Sequence, residues 1–86
     1  MSAIDEIIEA IDGVISQITE ATTATSAVVQ QTEQALEQVQ AVGLTASAEG
    51  LTALKDELEG IVGQFSAVNE AMEGAQTTAK SVAENT

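Results

Sequence analysis

The sequence lacks several residue types on which other folds and chemistries depend. Cysteine, histidine, proline, tryptophan and tyrosine are absent from its 86 residues, and Phe65 is the only aromatic residue. Without cysteine or histidine the chain forms no disulfide and offers none of the usual zinc ligands, and the redox compartment stays open. Without proline, nothing interrupts long helices. We therefore expect a helical protein without a cofactor.

Positive charge is also scarce. Fourteen acidic residues stand against Lys55 and Lys80, which gives a formal net charge of -12. Nucleic acid and anionic membranes attract clustered Lys or Arg, so we expect no nucleic-acid partner. No run approaches the roughly 18 consecutive apolar residues of a membrane span, so we expect no membrane insertion. The acidic start predicts either a cytoplasmic protein or one exported without a cleaved signal peptide, and the sequence leaves the location open.

What the sequence does contain is an apolar pattern with helical spacing. On either side of Gly43, apolar residues recur at alternating steps of three and four, as in helices that pack side by side. In the first half this predicted intramolecular seam contains Ile11, Ile15, Ile18, Val29 and Leu36. In the second half it contains Leu54, Leu58, Ile61, Phe65, Val68 and Met72. The pattern predicts an all-α fold of two long, coiled-coil-like helices.

The signals at the helix ends predict a single helical-hairpin domain over residues 1–86. Ser2 is a suitable N-cap for a first helix over 3–42, and Gly43 is suited to close it in the left-handed conformation. After a tip over 43–47, with Thr45 or Ser47 as N-cap, the second helix is predicted over 48–84. So short a connection makes the helices antiparallel, with the numbers of facing residues adding up to about ninety.

The first helix carries a second apolar stripe beside the seam. Its members recur at every seventh residue and are Ile7, Val14, Ala21, Val28, Ala35 and Val42. One partner helix is too narrow to cover a stripe and a seam together. We therefore predict that this stripe is an association interface, which completes a four-helix bundle with a second copy or with a related small helical protein. The alternative is that these residues stay half exposed, as scattered apolar surface residues often do.

Threonine and glycine replace better helix formers at several points. The uncharged segment over 21–32 puts Thr22, Thr25 and Thr32 in the seam, where they either keep the segment adaptable or fill space with their hydroxyls bonded to helix carbonyls. A row of small residues on the second helix either admits another helix backbone or consists of tolerated surface positions. That row is Gly60, Gly63, Ala67, Ala71 and Gly74.

Catalytic and metal-binding constellations are missing from the sequence. With no histidine or cysteine, the usual bases that activate a serine or threonine nucleophile are lacking, and neither lysine lies in an obvious apolar pocket. Acidic residues occur in pairs such as Glu33 with Glu37 and Asp56 with Glu59, but no loop has the alternating ligands of a calcium site. We expect Lys55 to form a salt link with Glu59, and we expect no enzyme.

A short chain of two equal helices around a glycine-containing tip, with few basic residues, resembles the WxG-type small helical-hairpin proteins of type VII secretion. Where those proteins carry Trp-x-Gly, this chain has Ala41, Val42 and Gly43, so the glycine alone matches. The Tyr-x-x-x-Asp/Glu export signal is missing because the chain has no tyrosine. The resemblance implies an exported hairpin or the partner of one.

The sequence therefore favours a protein–protein interaction module that associates with itself or with a related protein, as an export partner of a larger polypeptide. A second hypothesis is an acidic inhibitor of the phage type, in which carboxylates imitate phosphates and occupy a basic protein groove. It assigns the binding to Glu33, Glu37, Asp56 and Glu59. A third is that the acidic surface is an adaptation to a salty cytoplasm and binds no partner.

Overall fold

The computed structural model describes residues 2–85, which form two long antiparallel α-helices, α1 (Ala3–Ala41) and α2 (Thr45–Glu84). This confirms the all-α hairpin. Ser2 caps α1, since its hydroxyl oxygen accepts a hydrogen bond from the Asp5 amide at 3.1 Å. Asp5 and Glu6 add negative charge where the helix dipole is positive, which further stabilises this end.

The tip closes α1 in a Schellman motif. Gly43 has a φ of 78°, in the left-handed region that a residue with a Cβ adopts only at a cost. The Leu44 amide donates to the Val39 carbonyl at 3.0 Å, and the Gly43 amide donates to the Gln40 carbonyl at 3.1 Å. These two bonds satisfy carbonyls that the end of a helix otherwise leaves unpaired. The predicted role of Gly43 is confirmed.

The second helix begins at Thr45, earlier than the predicted residue 48. Leu44 occupies the N-cap position, where it makes no side-chain hydrogen bond, and its carbonyl accepts from the Ala48 amide at 2.9 Å. The predicted capping by Thr45 or Ser47 is therefore wrong. The Schellman turn has already reversed the chain at Gly43, so α2 starts without a capping side chain.

The contact between the helices follows an uninterrupted heptad repeat. In heptad notation the inward residues occupy positions a and d, and in this hairpin each of them is at least half-buried. In α1 they are Ile4, Ile8, Ile11, Ile15, Ile18, Thr22, Thr25, Val29, Thr32, Leu36 and Val39. In α2 they are Ala48, Leu51, Lys55, Leu58, Val62, Phe65, Asn69, Met72, Gln76, Ala79 and Ala83.

This pattern corrects the second-helix half of the predicted seam. Leu58, Phe65 and Met72 do face α1. Leu54, Ile61 and Val68 are instead exposed. The a positions, which alternate with the d positions along the contact, are occupied by the residues that follow these three, Lys55, Val62 and Asn69. The row of Leu54 and the row of Lys55 are both three or four residues away from the same d positions. Spacing alone therefore does not show which row faces α1.

The polar side chains of the inward row meet partners on α1. The cross-helix pairs are Lys55 Nζ with Glu33 Oε1 at 3.5 Å, Asn69 Nδ2 with Thr19 Oγ1 at 3.3 Å, and Gln76 Nε2 with Asp12 Oδ1. Lys55 and Gln76 keep their stems in the helix contact while their polar ends reach partners on the flank. The numbers in each pair add up to 88, close to the expected register.

The seam threonines are explained by local hydrogen bonds. The Thr22 hydroxyl donates to the Ile18 carbonyl and the Thr32 hydroxyl donates to the Val28 carbonyl, both at 2.8 Å. This confirms that the hydroxyls of these two residues bond back to helix carbonyls. Within residues 2–85, Thr32 is the one buried residue, at 5% exposure, and every apolar residue there is more exposed than Thr32. The core of the hairpin is therefore thin.

The molecule is a rod rather than a globule. Its principal extents are 65 × 16 × 11 Å and its radius of gyration is 19.3 Å. A compact domain of this length has a radius of gyration of about 12 Å. The extended shape leaves one long surface on each side of the helix contact, and these two surfaces differ in chemistry.

Candidate protein-binding face

An apolar stripe runs along each helix at heptad position g, directly before the inward a residues. In α1 it consists of Ile7, Val14, Ala21, Val28, Ala35 and, at the C-cap, Val42. In α2 it consists of Leu54, Ile61, Val68, Ala75 and Val82. The side chains larger than alanine in these stripes are 38% to 70% exposed. The hairpin therefore leaves uncovered two rows that are as apolar as its own contact.

The two stripes lie on the same side of the hairpin. The cross-helix partners Asp12, Thr19 and Glu33 all occupy position e of α1, directly after inward d residues. A shallow groove is lined by Glu33 of α1 together with Glu59, an e residue of α2, so the e rows of both helices share one flank. Because e and g lie on opposite flanks of a heptad contact, the two g rows share the other flank. We call these eleven residues the apolar face.

Charge is segregated from the apolar face. None of the fourteen acidic residues of the chain occupies a g position, and in the bordering row at position c only Glu57 is acidic. The rest of the c row in α1 is Ala3, Ala10, Gln17, Ala24, Gln31 and Gln38. The other thirteen acidic residues lie at positions e, b and f, on the acidic side of the hairpin. An uncharged strip bordered by glutamine amides resembles the core and polar rim of a protein interface.

The structure places the predicted α1 stripe beside α2 residues that the sequence analysis had assigned to the intramolecular seam. Ile7, Val14, Val28 and Val42 are exposed, and Ala21 and Ala35 are half-buried. The seam residues predicted on α1 all lie in the helix contact. The α2 half of the face was missed because Leu54, Ile61 and Val68 had been placed in the seam. The signal that identifies it is the distribution of the acidic residues, which avoid position g on both helices and, apart from Glu57, position c as well.

The acidic side contains one ionic cluster. Lys55 Nζ lies 3.7 Å from Glu59 Oε1, which confirms the expected salt link, and Glu33 lies on its other side. Both carboxylates are about half exposed, so these pairs contribute little to stability. Across residues 2–85 no three acidic side chains converge into a group suited to a metal ion. In the same residues, neither helix has a stretch long and apolar enough to cross a membrane.

The chain was compared with known families, curated proteins and solved structures. No family model, no curated protein and no solved structure matches it.

Proposed function

We propose that the chain is a non-enzymatic protein–protein interaction module whose binding surface is the apolar face. The observation that carries this proposal is the coincidence of both g stripes on one uncharged side of the hairpin. Contiguous exposed apolar surface of this length is uncommon on monomers and is typical of interaction sites. The partner is a helical protein, because side chains repeating every seventh residue fit the grooves of another helix.

A pair of photo-crosslinking variants tests this proposal. A benzophenone amino acid replaces Val14, on the apolar face, or Ser16, an exposed residue at position b. Only the Val14 variant should give a covalent adduct with another protein chain when cells producing it are irradiated. Adducts from both positions, or from Ser16 alone, would show that the binding surface lies elsewhere.

The narrower form of the proposal is an export partner of the type VII kind, in which the associated hairpin accompanies a larger secreted polypeptide. It is supported by the hairpin architecture, with helices of 39 and 40 residues joined at Gly43. If it is right, deleting the chain should keep that polypeptide inside the cell, and restoring the chain should release it. Unchanged export in the deletion strain would contradict the export-partner role, while the general proposal of an interaction module would still stand.

The acidic side supports a second candidate, an inhibitor that occupies a basic groove in place of nucleic acid. Thirteen acidic residues gathered on one side of a 65 Å rod give the continuous negative surface that such imitation needs. Glu33, Glu37, Asp56 and Glu59 all lie there. Changing these four residues to glutamine or asparagine should weaken binding to a basic partner, and added salt should weaken it too. Affinity independent of salt would contradict this candidate.

A further inference from the structure

The hairpin exposes more surface than a compact monomer of its mass. The chain exposes 5731 Å² of surface, whereas a compact monomer of its mass exposes about 4,800 Å². The excess is therefore roughly 900 Å², and a partner in a standard interface contributes about 800 Å². The excess surface of this rod is thus about the area that one partner covers in a standard interface.

The distribution of charge restricts what that partner is. Two chains of net charge -12 repel each other unless their acidic residues stay apart. When two hairpins meet through their apolar faces, thirteen of the fourteen acidic residues of each chain point away from the contact. A partner bound by charge would instead select the acidic side. The apolar face therefore requires a surface that is as uncharged as itself.

The period of the face adds a geometric requirement. The stripes keep a step of seven residues without a break, from Ile7 to Val42 on α1 and from Leu54 to Val82 on α2. A partner must repeat with the same step along almost the whole rod. Within each stripe, small and large side chains alternate in part, as with Ala35 between Val28 and Val42, so the face has ridges and recesses.

We propose, building on the function proposed above, that the occupant of the apolar face is a second copy of the chain. Two hairpins related by a two-fold axis then form a four-helix bundle. The same surface is used by both subunits, as in isologous dimers. The g rows become the centre of the bundle, and the c rows with their glutamines form its rim.

Sedimentation equilibrium of the purified full chain tests this proposal with matched charge variants. The face variant carries Val28→Glu and Val68→Glu, and the control carries Thr23→Glu and Ser66→Glu on the acidic side. All four residues are exposed in the hairpin, and each variant adds two negative charges, one on each helix. At roughly 100 µM, a Kd of about 10 µM or lower gives mostly dimer.

The expected result is a dimer of 17.6 kDa, twice the chain mass of 8.8 kDa, for the wild type and the control, and a monomer for the face variant. A monomeric wild type would overturn the proposal that a second copy covers the apolar face. The crosslinking experiment above would then still test whether the face binds another protein. A face variant that remains dimeric would show that the copies meet through another surface, and would overturn this proposal as well. Dissociation of both variants would show that charge alone separates the chains, and would overturn the assignment to this face.

Folding of the face variant is controlled separately. If it loses its helical circular dichroism, the milder pair Val28→Thr and Val68→Thr replaces it and should raise the dimer Kd about tenfold or more. The wild type supplies a further readout, because a hairpin stabilised by association loses helicity on dilution. A dimer Kd that Val28→Thr and Val68→Thr leave unchanged would overturn the proposal.

Discussion

Glycine has opposite roles at two positions of this chain. Gly43 holds a positive φ at the tip, and the sequence predicted this because the apolar period breaks there. Gly60 lies on the exposed surface of α2, and a Cβ added to it meets no atom within 4 Å. Sequence reasoning left open whether another helix backbone approaches Gly60. Within the hairpin nothing does, so the residue only loosens the helix there.

We expect the two alanine substitutions to act in opposite directions. Gly43→Ala should lower the free energy of unfolding by about 1 to 2 kcal/mol, because alanine is strained in the left-handed region. Gly60→Ala should raise it by about 1 kcal/mol, because alanine is the better helix former and has room. Urea denaturation followed by circular dichroism at one protein concentration measures both. A stabilising Gly43→Ala would contradict the structure of the tip.

At the scale of the element, hydrophobic periodicity identifies the residues that face the other helix in α1 but not in α2. In α1 the a and d positions are apolar or threonine throughout, so periodicity identified them. In α2 the a row includes Lys55, Asn69 and Gln76, and hydrophobicity favoured the neighbouring row of Leu54 instead. In the hairpin these polar residues meet partners on α1 that lie more than twenty residues away in the chain. Such pairs are visible only once the helices are placed together.

Asn69 provides the test of this assignment. Its Nδ2 donates to Thr19, but its Oδ1 is buried and finds no hydrogen-bond partner among the residues described. Asn69→Leu removes this unsatisfied atom from a position that suits an apolar side chain. It should raise the free energy of unfolding by about 1 to 3 kcal/mol.

Val62→Leu, at the preceding a position, is the matched control. It changes an apolar residue into a similar one, so it should alter stability by less than about 1.5 kcal/mol. Urea denaturation at one protein concentration compares the two variants. If Asn69→Leu destabilises the hairpin while Val62→Leu does not, then Asn69 contributes more through its hydrogen bond than its unsatisfied atom costs.

At the scale of the whole molecule, two chemically distinct sides emerge from one heptad register. The sequence predicted the hairpin, its antiparallel direction and a broad stripe on α1. It did not predict the apolar face as a single surface, because placing Leu54, Ile61 and Val68 in the seam hid the second stripe. Net charge was read from composition, but its segregation appears only when each acidic residue is assigned a heptad position. A four-helix bundle remains a proposal drawn from these features.

Thiol labelling measures whether the apolar face is covered by a protein in the cell. The chain has no cysteine, so Val68→Cys on the face and Ser66→Cys on the acidic side each introduce a single thiol. Both thiols should react at similar rates in dilute purified protein, since both residues are exposed in the hairpin.

In cells that make the chain, a membrane-permeant maleimide should label the thiol at position 68 about tenfold more slowly than the thiol at position 66. The expected ratio is tenfold because, when a partner covers the face in about nine tenths of the molecules, only the remaining tenth exposes the thiol at position 68. Equal rates at both positions in cells, matching those of the dilute protein, would contradict the claim that this face binds a protein.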